Sequence, residues 1–129
     1  MKFVKRDIRE VWQDIKQPLS ETIFPKEMLE ECYHLCRNDL AHLFTCPDGF
    51  IILQENVNDG IKTLHIWVAY GKGDNLLEKY MPDIEEIARS INAVEISFNT
   101  QRKGFERRLS DEWYVNHVEY RKKVEYGKQ

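Results

Sequence analysis

A chain of 129 residues has the length of one domain and can bury roughly two-thirds of its unfolded surface. Hydrophobic residues at 42%, charged residues at 32% and a formal charge of -3 describe an ordinary globular protein, with no electrostatic signal for nucleic acid. The longest apolar runs, such as residues 50–53, are too short to span a bilayer, and no signal peptide is visible at the start. Three cysteines without a secretory context make a reducing cytoplasm the expected location.

In chain order, Asp7 can cap a helix carrying Ile8, Val11, Trp12 and Ile15 at i, i+3, i+4 and i+7, which Pro18 and the polar residues from Ser20 should end. Pro25 suits the first position of a second helix. That helix puts Met28, Leu29, Cys32, Leu35 and Cys36 on one face, and Asn38-Asp39 breaks its pattern. Two short strands follow at 41–45 and 50–55, with Pro47-Asp48-Gly49 as the turn between them. Asn58-Asp59-Gly60 is a hairpin signal leading into a strand over 63–70. In that strand Leu64, Ile66 and Val68 are expected on one face and His65, Trp67 and Ala69 on the other; neither is wholly polar, so the strand should be central.

After Gly71-Lys72-Gly73 comes the strongest helical period of the chain: Leu77, Tyr80, Met81, Ile84, Ile87, Ala88 and Ile91. Pro82 lies inside it and should kink the helix or mark the start of its regular part. Asn92 suits a left-handed stop, and Val94, Ile96 and Phe98 then alternate with Glu95 and Ser97. A short helix over 104–110 and a last strand over 113–120 complete the elements, and the polar tail from Arg121 should fray.

This order predicts a single α/β (α+β) domain with a mixed, mostly antiparallel central sheet flanked by helices. Residues 1–40 form its helical part, 41–121 the sheet core and 122–129 the tail, and a right-handed parallel crossover joins the strands at 63–70 and 94–98. A strand, a glycine-bearing turn and a helix N-terminus make a unit that can grip a phosphate, although such turns also serve as plain connections. Cys32 and Cys36 share an apolar face as buried structural cysteines do, and with His42 and Cys46 they match no zinc spacing. Arg102, Lys103, Arg107 and Arg108 form a basic cluster that suits either an anion or a solvated helix face.

Ala88-Arg89-Ser90-Ile91-Asn92-Ala93, with the strand after it, is similar to the Ala-Arg-x-x-Gly-Ala run that closes the main helix of the GNAT N-acetyltransferase family. Gly104-Phe105-Glu106-Arg107-Arg108-Leu109 resembles the short helix that comes next in that family. Half of the chain carries this resemblance well, and short GNAT-like proteins encoded by tailed phages look most similar to the whole. The resemblance implies an acyl-CoA N-acyltransferase-like fold, acetyl-CoA as cofactor, a small-molecule or protein amine as acceptor, and the cytoplasm of a bacterium or a phage-infected host.

It also implies a cofactor path, with pantetheine along Trp67, Val68, Ala69 and Tyr70 and pyrophosphate over Gly71, Lys72, Gly73, Asp74 and Asn75. Counting back from Ala88, Lys72 fills the basic position of the family's R/Q-x-x-G-x-G/A loop. Asn75 and Leu77 then replace two glycines that let the backbone approach phosphate, and Asp74 adds a negative charge. In another register Gly71 and Gly73 serve directly, with a helix about one turn longer. His65, on the strand that often carries the family's general base, is the candidate base. The family's general-acid tyrosine corresponds to Phe105, so Tyr114 becomes the candidate acid, with Tyr120 beside it, and the family's final hairpin looks truncated after Tyr120. Two functions stay open: an acetyltransferase with a degenerate cofactor loop, or a non-catalytic GNAT-fold interaction module, virion component or host modulator that self-associates or holds a protein partner.

Overall fold

The computed structural model describes residues 2–21, 26–71, 76–99, 113–116 and 119–126. The chain opens with a strand that its sequence did not announce, β1 (Val4–Arg6), paired antiparallel to β2 (His42–Cys46). Its three residues are all exposed, so no hydrophobic alternation marks it. Phe3 beside it is 5% exposed and packs on Phe44 and Tyr80.

Asp7 caps helix α1 (Ile8–Ser20), its carboxylate accepting from the Arg9 amide at 3.0 Å and from the Arg9 guanidinium. The helix carries Pro18 in its last turn, where little backbone bonding is left to lose, and ends at Ser20, where the polar segment expected to end it begins. Helix α2 (Lys26–Arg37) buries Leu29 and Cys32, as its spacing predicts, and Pro25 lies just outside the described residues. Burial raises the Cys32 thiol to about 12 and the Cys36 thiol to about 11, which fits packed, unreactive cysteines.

Strands β2 and β3 (Gly49–Asn58) form a hairpin around Pro47-Asp48, and β3 and β4 (Ile61–Gly71) form a second around Asp59-Gly60, both with positive φ. Helix α3 (Leu76–Ser90) runs through Pro82 and buries Tyr80, Ile84, Ile87 and Ala88. Its end explains the Ala88–Ala93 run. Asn92 adopts φ 61, the Ala93 amide bonds back to the Ala88 carbonyl at 2.9 Å, and the Asn92 amide bonds to that of Arg89 at 3.1 Å, a Schellman closure. Ala88 and Ala93 are both fully buried, so a larger side chain has no room at either.

β5 (Glu95–Asn99) then runs parallel to β4, and the sheet is finished by β6 (Trp113–Asn116) and β7 (Glu119–Lys123) in the order β1-β2-β3-β4-β5-β7-β6. All other pairings are antiparallel, as expected for this sheet. Two expectations need correction here. The stretch 113–120 is the start of a hairpin and not one strand, so the closing hairpin is complete rather than cut short at Tyr120. The tail does not fray from Arg121: β7 continues to Lys123, Val124 is 7% exposed, its amide bonds the Val94 carbonyl, and the Tyr126 hydroxyl donates to the Ala93 carbonyl.

The sheet separates two cores. Helices α1 and α2 cover one face, where Ile8, Ile15, Leu29, Leu43, Ile52 and Val68 meet; α3 covers the other, where Ile51, Leu53, Leu64, Ile66, Ile84 and Ile96 meet. No helix among the described residues is long and apolar enough to cross a membrane.

Candidate functional site

The candidate site lies where β4 and β5 part. Their parallel pairing runs from Thr63↔Glu95 to Ile66↔Phe98 and stops there. β5 continues with β7 to Asn99↔Glu119, while β4 continues with β3 to Gly71↔Gly49. Along 67–71, β4 is therefore bonded to β3 on one edge, and no strand among the described residues pairs with its other edge. An open strand edge offers a row of main-chain donors and acceptors to an extended ligand.

A β-bulge reshapes this open half. Ile52 pairs with Val68 but the next β3 residue, Leu53, pairs with Ile66, which leaves Trp67 as the extra residue on β4. The extra residue flips the strand. Leu64 and Ile66 lie in the α3 core, but Val68 lies in the α1/α2 core, with Trp67 and Tyr70 packed against the same cluster. The expected grouping of Val68 with Leu64 and Ile66 is thus wrong, because it assumed an unbroken period of two. After the flip Ala69 stands opposite Ile51, on the α3 face, and it is exposed although Ile51 is 2% exposed. Ala69 is exposed and Gly71 half-buried, and neither carries a side chain larger than a methyl on that face of the open strand. On the other face Tyr70 stacks on Phe50 with ring centroids 5.3 Å apart.

His65 sits one residue before the last β4–β5 pair, on the strand face turned towards α1 and α2. It is 7% exposed, and its Nδ1 lies 2.8 Å from the Oγ of Ser97, its partner residue across the parallel pair. The contact orients the ring, and because a hydroxyl both donates and accepts it suits either tautomer of the imidazole. Tyr114 pairs with Arg121 in β6, and its side chain lies outside the described residues. Lys72, Gly73, Asp74, Asn75, Phe105 and the basic residues Arg102, Lys103, Arg107 and Arg108 lie outside the described residues.

The approach to α3 has a polar cluster that sequence reasoning missed. Asp48 in the β2–β3 turn accepts from the Lys79 ammonium and from the Tyr80 hydroxyl, each at 2.6 Å. These two bonds hold the Asp48 carboxyl below the usual carboxylate range, and the carboxylate pushes the Tyr80 phenol up. Nothing in the sequence flags the link, because residues 48 and 79 are joined only through the fold. Elsewhere, a groove of about 590 Å³ runs between α1 and α2, lined by residues including Trp12, Lys16, Leu29, Tyr33 and His34. It contains no residue of the open half of β4.

No protein-family model matches this sequence, and no curated protein matches it. Solved structures do resemble its fold. A ribosomal-protein-alanine N-acetyltransferase from Brucella melitensis biovar Abortus aligns with a TM-score of 0.61 at 12% identity, over 92% of this chain and 99% of that one. A GNAT-family acetyltransferase from Listeria monocytogenes gives 0.57 at 13% identity, over 95% of each chain. The PaiA N-acetyltransferase of Thermoplasma acidophilum, solved in complex with coenzyme A, gives 0.54 at 14%, over 98% of this chain and 100% of that one. The fold is therefore that of the GNAT acyl-CoA N-acyltransferases. At these identities the likeness establishes architecture.

Proposed function

We propose that this protein binds acetyl-CoA in the β4–β5 fork and transfers its acetyl group to an amine. The observation that carries the reading is the end of the β4–β5 ladder at Ile66↔Phe98, beyond which Trp67 to Gly71 have no second strand partner among the described residues and Ala69 is exposed. A pantetheine arm is extended and carries amides, so it can complete that edge as a further strand would. The coenzyme A bound to a structural neighbour supports the same cofactor class. The diphosphate would follow the strand towards Lys72, Gly73, Asp74 and Asn75.

In the reaction the amine nitrogen attacks the thioester carbonyl carbon, a C–N bond forms, the C–S bond breaks, and the coenzyme leaves as a thiolate. The amine's proton must be taken up and the thiolate must gain one. His65 is the candidate for the first step and Tyr114 for the second; holding the two reactants together supplies most of the rate. The acceptor is a small molecule or a protein amine.

A second reading keeps the scaffold without the chemistry, as an interaction module that self-associates or binds a protein, such as a phage virion component or a modulator of a host protein. Two features favour it: the close packing of His65 against Ser97 and the phenylalanine at 105 where the family has its tyrosine. Calorimetry with acetyl-CoA, followed by an assay for free thiol with simple amines, decides between them. Binding with turnover supports the enzyme. Absence of binding at millimolar cofactor excludes it.

A further inference from the structure

The link between Asp48 and α3 has a geometry that bears on the fork. The β2–β3 turn touches both sides of the passage from β4 to α3. On the β4 side, Gly49 pairs with Gly71; a Cβ on Gly49 would overlap the Tyr70 carbonyl and lie 2.6 Å from the Gly71 Cα, so the two strands close up there as only glycine allows. On the α3 side, Asp48 holds Lys79 and Tyr80, which belong to the first five residues of the helix. Two consecutive residues, Asp48 of the turn and Gly49 at the start of β3, thus meet the beginning of α3 and the last residue of β4. The Tyr80 ring is wedged in place, 2% exposed, tilted against Phe3 at 5.1 Å, with the ammonium groups of Lys2 and Lys79 5.8 and 5.6 Å from its centroid.

The Asp48–Lys79 pair is too exposed, at 30% and 54% of the side chains, to contribute much to stability. Its consequence is positional. We propose that Asp48, through the Tyr80 hydroxyl, is a positioning residue for coenzyme binding, setting where α3 begins relative to the open end of β4. The proposal rests on the acetyl-CoA reading above and adds to it the element that fixes the width of the site. A cofactor spanning from the open strand to the helix needs that distance held before it arrives, since ordering it on binding would weaken affinity.

Tyr80→Phe tests this cleanly, because it keeps the ring and both neighbouring charges and removes only the hydroxyl. Asp48→Asn is less clean, since it also frees the charge of Lys79 near an anionic ligand. Ile84→Val is the control: it loosens the core of the same helix away from the turn. Coenzyme A is titrated calorimetrically into wild type and both single variants, with thermal melts alongside. Tyr80→Phe should weaken coenzyme A by about fivefold, the scale of one hydrogen bond, while Ile84→Val lowers the melting temperature and leaves the affinity unchanged. Equal affinity of Tyr80→Phe and wild type would overturn the proposal, as would an equal loss in Ile84→Val. If wild type itself does not bind coenzyme A, the cofactor reading fails and this proposal with it, an outcome separate from the other two.

Discussion

Ile66 and Phe98 are the last residues that the two central parallel strands share, and everything distinctive about the candidate site begins one residue later. The bulge at Trp67 turns Val68 into the α1/α2 core and leaves Ala69 exposed on the α3 face of a strand with one open edge. A substitution at Ala69 separates binding from folding. Ala69→Phe should weaken coenzyme A by roughly tenfold or more, a loss of about 1.4 kcal/mol, because the ring occupies the face where Ala69 is exposed. Stability should stay within about 0.5 kcal/mol of wild type, since the site is exposed. Calorimetry and urea denaturation of the same sample measure both.

Ser97 is 1% exposed and its hydroxyl meets His65 across the parallel pair. Ser97→Ala should destabilise the fold by about 1–3 kcal/mol in urea denaturation, the cost of taking one partner from a buried polar pair. If acetyl transfer is observed in wild type, the same variant should also shift the pH profile, since the ring loses the group that orients it.

Residues 124–126 close the fold against the end of α3. Val124 is buried, the Arg89 guanidinium donates to the Glu125 carbonyl at 2.9 Å, and the Tyr126 hydroxyl reaches the Ala93 carbonyl. Truncation after Lys123 should therefore lower stability by about 2 kcal/mol, chiefly from the lost apolar burial of Val124. Thermal melts of the shortened chain check this; an unchanged melting temperature would restore the view of the tail as inert.

Two solvent-accessible carboxylates should give the fold a small acid dependence. The side-chain and backbone hydrogen bonds of Arg9 lower Asp7 to about 2, and Lys79 and Tyr80 lower Asp48. Each folded-state value lies below the unfolded one, so the stability these groups contribute is present above the ordinary carboxylate range near pH 4 and is lost as pH falls towards about 2. Asp7→Asn should flatten that part of the curve when melting temperature is followed from pH 5 downwards.

The sequence made the local signals readable and hid the ones that depend on pairing. Asp59-Gly60 and Asn92 adopt the positive φ that their residue types suggest, and the period of α3 from Leu77 to Ile91 matches its buried face. Trp67 shows the opposite case. A bulge is a relation between two strands, and a single strand read alone continues its alternation through it. β1 escaped because three exposed residues carry no pattern, and the β6–β7 hairpin because Asn116 to Glu119 contains no glycine or proline to announce a turn. Asp48 reads as a turn residue in sequence; its contact with Lys79 and Tyr80 exists only once β4 and α3 have brought them together.

The most direct measurement is a coenzyme A titration followed through backbone amide chemical shifts. If the fork holds the pantetheine arm, the amides of Trp67, Val68, Ala69, Tyr70 and Gly71 should move together and saturate with one affinity, while those lining the α1–α2 groove at Trp12 and Tyr33 stay in place. Unmoved β4 amides at millimolar coenzyme A, or shifts confined to the groove, would contradict the account.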